Sequence, residues 1–365
     1  MKQIWMMMLV LVLLLTGCGS WMDGHYVSVE PYTDEGYREE AGITAVTDYT
    51  EMRSALADMV ENGVENRTLS LEDMPPETVE NNLRMAIHYA TMLNPMGAYG
   101  VESIEYEVGT TSGVPAVMIT IAYNRTRAEI QRIRQVDGMD SAAELIKSAL
   151  DDVEAGIVLK VTNYRETDYA QLVQDYALSR PDQVMEIPQV TAHTYPESGM
   201  VRVLELKFDY QTSRDSLKTM QQYVQPVFTS AVLFVSGEEE EQMKFARLYA
   251  FLMETTDYSL ETSITPAYSL LRHGVGDSKA FSTVYAAMCT RSGLDCRIVS
   301  GTREGEPWFW NMICENGAYY HVDLLHSSSA GTYQKFADAD MAGYVWDYAA
   351  YPECVIVEET TDGAE

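Results

Sequence analysis

Ser278, His321 and Asp323 are the residues whose types and spacing could together do acyl-transfer chemistry. Gly274-Val275-Gly276-Asp277-Ser278 runs into a helical pattern from Lys279 to Arg291, which Ser292-Gly293 ends. A helix start presents partial positive charge and free N–H groups, which favour an anionic nucleophile and an oxyanion. A serine hydroxyl stays protonated near neutral pH and needs a base. His321 and Asp323 stand two apart in Tyr319-Tyr320-His321-Val322-Asp323, so on a strand they share a face and could act as base and orienting carboxylate. His273 and His326 lie on flanking loops. The plainer reading makes Ser278, or Asp277 before it, a helix N-cap.

The surrounding elements must position these groups. A strand Cys296 to Ser300 reaches Gly301, and after a polar turn comes Trp308-Phe309-Trp310-Asn311-Met312-Ile313. Asn316-Gly317 makes a hairpin turn into the strand that ends at Asp323. The chain then reaches Gly343-Tyr344-Val345-Trp346-Asp347 and Tyr351-Pro352-Glu353-Cys354.

In order and spacing, residues 239–357 resemble the transglutaminase-like, papain-related family. That resemblance implies a nucleophilic cysteine at a helix N-terminus, a histidine on the Trp-Asn strand and an aspartate on the next. Here those positions hold Ser278, Trp308 and Asp323. Cys289 lies eleven residues along the same helix, roughly 16 Å from its start at ~1.5 Å per residue, and cannot substitute. An indole nitrogen only donates, so Trp308 is no base and reads as an apolar plug. The expectation is a catalytically degenerate domain that keeps a cleft for a peptide, protein or wall polymer without turnover. A serine-dependent amidase or esterase using Ser278 with His321 is the alternative. A third reading is a structural protein acting through its N-terminal half.

Residues 1–17 read as an export signal: Lys2 precedes an apolar run from Ile4 to Leu15. That run is shorter than the ~20 residues a membrane span needs. Leu15-Thr16-Gly17-Cys18 resembles a bacterial lipobox, which implies lipidation of Cys18 and a chain anchored to the outer face of the cell membrane. Removing the leader deletes one lysine and takes the net charge from −30 to −31. Such a chain repels nucleic acid, and no basic patch with interleaved aromatics appears. Cys289, Cys296, Cys314 and Cys354 could form two disulfides, though four buried thiols is the favoured reading. No Cys-x-x-Cys spacing or His-rich cluster points to a metal, and no cofactor is expected.

The fold class expected is α+β: an N-terminal duplicated α/β hairpin module followed by the transglutaminase-like domain. Residues 18–42 read as a tether, 43–236 as the module, 239–357 as the second domain and 358–365 as an acidic tail. The module reads as two copies, about 43–134 and 141–224. Tyr123 aligns with Tyr210 and Arg127 with Arg214, at one offset of 87. His88 reads as a core histidine, and Met85, Met92 and Met96 as core filler. The run Glu238 to Glu241 marks the domain boundary, at the start of a helix whose dipole it favours.

Overall fold

The computed structural model describes residues 43–254 and 256–355. The leader, Cys18, the tether and the acidic tail lie outside the described residues. No helix among the described residues is long and apolar enough to cross a membrane. The chain is mixed α+β, and its contacts divide it into two units. One takes in the chain up to Thr91 with Gly100–Arg127. The other takes in Met92–Tyr99 with the chain from Ala128 onward.

The first unit holds β1 (Thr44–Ala45), α1 (Tyr49–Asn62), β2 (Asn66–Ser70), α2 (Val79–His88), β3 (Val101–Thr111) and β4 (Val114–Tyr123). Its sheet runs β1-β2-β4-β3, with β1 parallel to β2 and the other pairings antiparallel. Helix α1 begins where Asp48 accepts the Glu51 N–H and ends where Gly63 turns left-handed at φ 63°. Along β4, Val117, Ile119 and Ile121 are buried while Met118, Thr120 and Ala122 face out, the period-two pattern of a sheet with one covered face.

The second unit opens on the same plan: β5 (Arg134–Asp137), α3 (Gly138–Asp151), β6 (Gly156–Thr162), α4 (Tyr169–Ser179), β7 (Gln189–Tyr195) and β8 (Arg202–Asp209). This sheet runs β5-β6-β8-β7 with the same parallel and antiparallel pairings. The residues at the common offset occupy matching places. Arg127 packs beside Gly63 at the end of α1, and Arg214 donates to the Asp152 carbonyl at the end of α3. Each copy opens on a short strand that pattern reading does not see, because two to four residues are too few to show alternation. His88, Met85 and Met92 are exposed, contrary to the expectation of core positions; Leu83, Ala86 and Ala90 form the buried stripe and only Met96 joins the core.

Helix α5 (Arg214–Val235), capped by Ser213, shares one hydrophobic core with α6 (Glu241–Met253) and with α7 (Ser278–Arg291). Val153 and Met185 from the repeat fold into the same cluster. The run Glu238 to Glu241 therefore lies within the second unit, between two helices of a common core. Helix α7 is buried continuously from Ala280 to Cys289, and a helix covered all round sits at the centre of its domain.

Just ahead of α7, β9 (Asp257–Tyr258) and β10 (Val275–Gly276) pair in parallel. Against α7 stands the antiparallel sheet β13-β12-β11-β14, formed by β11 (Cys296–Arg303), β12 (Glu306–Glu315), β13 (Ala318–Val322) and β14 (Tyr344–Trp346). Asn316 and Gly317 take φ 51° and 83°, the paired left-handed geometry that a two-residue hairpin turn demands. A Cβ at Gly301 would strike the Val345 carbonyl and the Trp310 ring, so only glycine lets β14 close on β11.

Candidate functional site

Asp277 caps α7, its Oδ1 accepting the Ala280 N–H at 2.8 Å. The cap role read as open to Ser278 or Asp277 thus falls to Asp277, and Ser278 is the first helical residue. Ser278 is buried, and its Oγ accepts the Phe309 N–H of β12 at 3.3 Å. Ser282, one turn on, donates to the Trp310 carbonyl at 3.0 Å. One face of α7 is thereby tied to β12 along its first turns.

Trp308 and Asp323 do meet. The Trp308 Nε1–H donates to Asp323 Oδ2 at 2.9 Å, so the side chain read as an apolar plug is also a hydrogen-bond donor. The Tyr344 hydroxyl donates to the same oxygen at 2.6 Å, and Arg303 Nη1 lies 3.5 Å from it. Oδ1 accepts the backbone N–H groups of Leu325 and His326 at 3.0 and 3.1 Å, capping α8 (Leu324–Ala330). Asp323 is 2 % exposed, and a carboxylate this deep persists only with such a set of donors. The Arg303 guanidinium lies 5.2 Å from the Trp308 ring centre and 5.5 Å from that of Tyr344, in cation–π range of both. Tyr258 stands 5.6 Å from the Trp308 ring. Burial first, then the Asp323 charge, hold the Tyr344 phenol well above its ordinary range, so it donates rather than ionises.

Arg303, Tyr344, Tyr258 and Phe309 were not singled out by sequence reasoning. Tyr344 was visible as part of the Gly-Tyr-Val-Trp-Asp motif, but its approach to Asp323 depends on β14 pairing with β11, where Arg303 lies opposite Tyr344.

His321 is committed elsewhere. Its Nδ1 accepts the Trp310 Nε1–H at 2.9 Å and its Nε2 lies 2.9 Å from Asp338 Oδ1. An indole only donates, so Nδ1 keeps its lone pair and Nε2 carries the proton toward Asp338. The ring is fully buried against Trp346, 4.8 Å away. Both nitrogens are used, so the proposed Ser278–His321 pair is not formed. His321 pairs with Met312 and shares the face of Trp310, where Trp310, Trp346 and Asp338 hold it. His326 packs on Phe336 and His273 on Tyr268.

His321, Asp338 and Cys354 have donor atoms all within 4.8 Å of one another. A metal on Nε2 would require the proton on Nδ1, where the Trp310 N–H already points. Burial and the neighbouring Asp338 charge push the Cys354 thiol up to about 12. The cluster is therefore a hydrogen-bonded core element. Cys289, Cys296, Cys314 and Cys354 all stand as free thiols.

Burial lowers the His321 pKa, with the hydrogen bond and charge of Asp338 pulling the other way. An unfolded chain takes up this proton below about pH 6.5, while the folded one resists it. Stability contributed by neutral His321 is thus full above that pH and lost as pH falls toward the lowered folded value. Wild-type melting temperature should fall more steeply than that of His321→Gln between pH 7 and 5. Parallel curves would mean that His321 titrates alike in both states.

Residues 229–359 match the transglutaminase-like superfamily. No curated protein matches the chain. Three solved structures are similar over parts of it. One is a TGase, at 10% identity, TM-score 0.26, over 60% of this chain and 63% of that one. Another is a candidate cysteine protease from Cytophaga hutchinsonii, at 13% identity and TM-score 0.25, over 43% and 70% of the two chains. The third is a candidate protease from Parabacteroides distasonis, at 9% and 0.23, over 74% and 45%. The chain thus spans less than two thirds of that TGase. Its C-terminal third, carrying Ser278, Trp308 and Asp323, is a transglutaminase-like domain within an α+β chain.

Proposed function

We propose that this domain binds a peptide, protein or wall polymer at the Ser278 cleft without turning it over. The observation that carries the reading is the Trp308–Asp323 hydrogen bond. The indole makes the bond to Asp323 that an orienting aspartate would give an imidazole, and it has no second nitrogen to take a proton from Ser278. Among the described residues, the Ser278 hydroxyl is held by the Phe309 N–H and makes no hydrogen bond to a base that could activate it. Phe309 supplies aromatic surface beside it, with Lys279 5.4 Å above the ring, and Trp308 packs 5.6 Å from Tyr258. In the same reading, Cys18 carries a lipid that holds the chain on the outer face of the cell membrane.

A fluorophosphonate probe should leave Ser278 unlabelled in folded protein, as mapped by mass spectrometry. The protein should release no amine from glutaminyl peptides, yet sediment with isolated cell walls or with immobilised surface peptide. Ser278→Ala should sediment equally. Labelling of Ser278, or turnover that Ser278→Ala abolishes, would restore the serine amidase. Metabolic palmitate incorporation that Cys18→Ala removes checks the anchor; equal incorporation in the variant would sink it.

A further inference from the structure

The two copies of the N-terminal module differ at one edge. Strand β3 ends the first sheet and β7 the second, and each pairs on one side only among the described residues. The offset of 87 carries Val117 to Leu204 and Ile119 to Leu206, so the residues opposite them correspond as well. Val108 and Tyr106 therefore stand on β3 where Thr194 and Ala192 stand on β7. Glu107 and Glu105 stand where the second copy has His193 and Thr191.

Side chains alternate along β3, so its two faces differ in chemistry. Tyr106 and Val108 lie on the covered side of the sheet, opposite buried Ile119 and Val117, yet they are 42 % and 59 % exposed. Glu105 and Glu107 lie on the other side, exposed and in no ion pair among the described residues. Their neighbours across that face are Thr120, Met118 and Thr68, none of them cationic. Between the faces, every second N–H and C=O of β3 points away from β4 and meets no strand. From Ser103 to Thr111 the pairing with β4 runs without a bulge, and the strand holds no proline. Its backbone is thus free to accept a further strand.

Charge decides the occupant. A second copy fits poorly, because β3 paired with β3 about Tyr106 sets glutamate against glutamate, and like charges directly opposite repel. Residues 19–42 fail on the same ground, with six acidic residues against Arg38 alone.

We propose that β3 is a docking strand: an extended segment of another protein, alternately basic and apolar, adds to the four-stranded sheet with its basic side chains beside Glu105 and Glu107 and its apolar ones beside Tyr106 and Val108. Backbone hydrogen bonds supply the pairing, and the alternation selects the partner. The surface lies in the first unit and does not depend on what happens at Ser278.

The probe is a dye-labelled Lys-Val-Lys-Val-Lys-Val-Lys peptide, titrated against the whole protein by fluorescence polarisation. Saturable binding is expected, at least tenfold weaker at about 500 mM salt than at about 50 mM. A peptide of the same composition with lysines and valines in two blocks should bind at least fivefold more weakly. Of two peptides N-methylated at alternate residues, all lysines or all valines, one should lose at least tenfold. Glu105→Gln with Glu107→Gln should cost at least tenfold and Tyr106→Ser at least threefold; circular dichroism checks that these surface changes leave the fold intact. Equal binding of the alternating and block peptides, indifference to either N-methylation or to the glutamine pair, or no saturation up to roughly 1 mM overturns the docking strand. Glu105 and Glu107 would then be charges that keep the edge from pairing. A dimer in sedimentation that Tyr106→Ser dissolves, or binding that appears only once residues 19–42 are removed, overturns it in favour of a second copy or of that stretch.

Discussion

Cysteine at 278 together with histidine at 308 is expected to create a thiol that iodoacetamide alkylates at pH 6 about tenfold faster than the Ser278→Cys protein alone. A thiol there occupies the first turn of α7, where the helix dipole and free amides favour the thiolate. Histidine at 308 inherits the bond that Trp308 Nε1 gives Asp323 Oδ2, and its second nitrogen is left to pair with the thiol. Lowering a thiol pKa from about 8.5 to about 5.5 raises the thiolate fraction at pH 6 roughly 200-fold. The lower basicity costs about 20-fold in intrinsic nucleophilicity, which leaves about tenfold. Cys289 and Cys354 are buried with raised pKa values, and peptide mapping separates Cys296 and Cys314. Equal rates in the single and double variants would mean that residue 308 does not stand where a base could serve residue 278. The Arg303 guanidinium near Asp323 works against full recovery, because it already answers part of the carboxylate's charge.

Asp182→Ala should cost about 3 kcal/mol, since removing one member of a buried ion pair strands its partners. Asp182 is 1 % exposed and accepts from Arg180 Nε at 3.1 Å and from Arg291 Nη1 at 2.8 Å. Arg180 closes α4 of the repeat and Arg291 closes α7, so one carboxylate ties the two parts together. In a unit of this size that is roughly 6–12 °C in melting temperature. Glu166→Ala, which breaks the exposed pair with Arg202, should cost less than about 1 kcal/mol. Calorimetry compares the two; an Asp182→Ala loss no larger than that of Glu166→Ala would refute the tie.

Much of the fold was legible along the chain. The helix read from Lys279 to Arg291 is α7, the strand read from Cys296 opens β11, and the Asn316-Gly317 turn sits between β12 and β13. These features depend on side-chain period and turn chemistry within a few residues. What failed was non-local. His88 and Met85 fell on the wrong side of α2 because a ten-residue helix with sparse apolar positions leaves its buried stripe ambiguous. The shared core of α5, α6 and α7 was hidden because an acidic surface run resembles a linker whether or not the flanking helices pack together.

At the site the division is sharper. Residue identity alone says that position 278 holds no thiol and position 308 no imidazole, because what a side chain can protonate or attack is a property of its own atoms. Which group answers Asp323 was decided by the pairing of β14 with β11, which brings Tyr344 and Arg303 beside Trp308. The protonation of His321 was decided likewise by Trp310 and Asp338, eleven residues before it and seventeen after. Sequence spacing measures distance along a chain, and hydrogen bonds depend on distance in space; the sheet register converts one into the other.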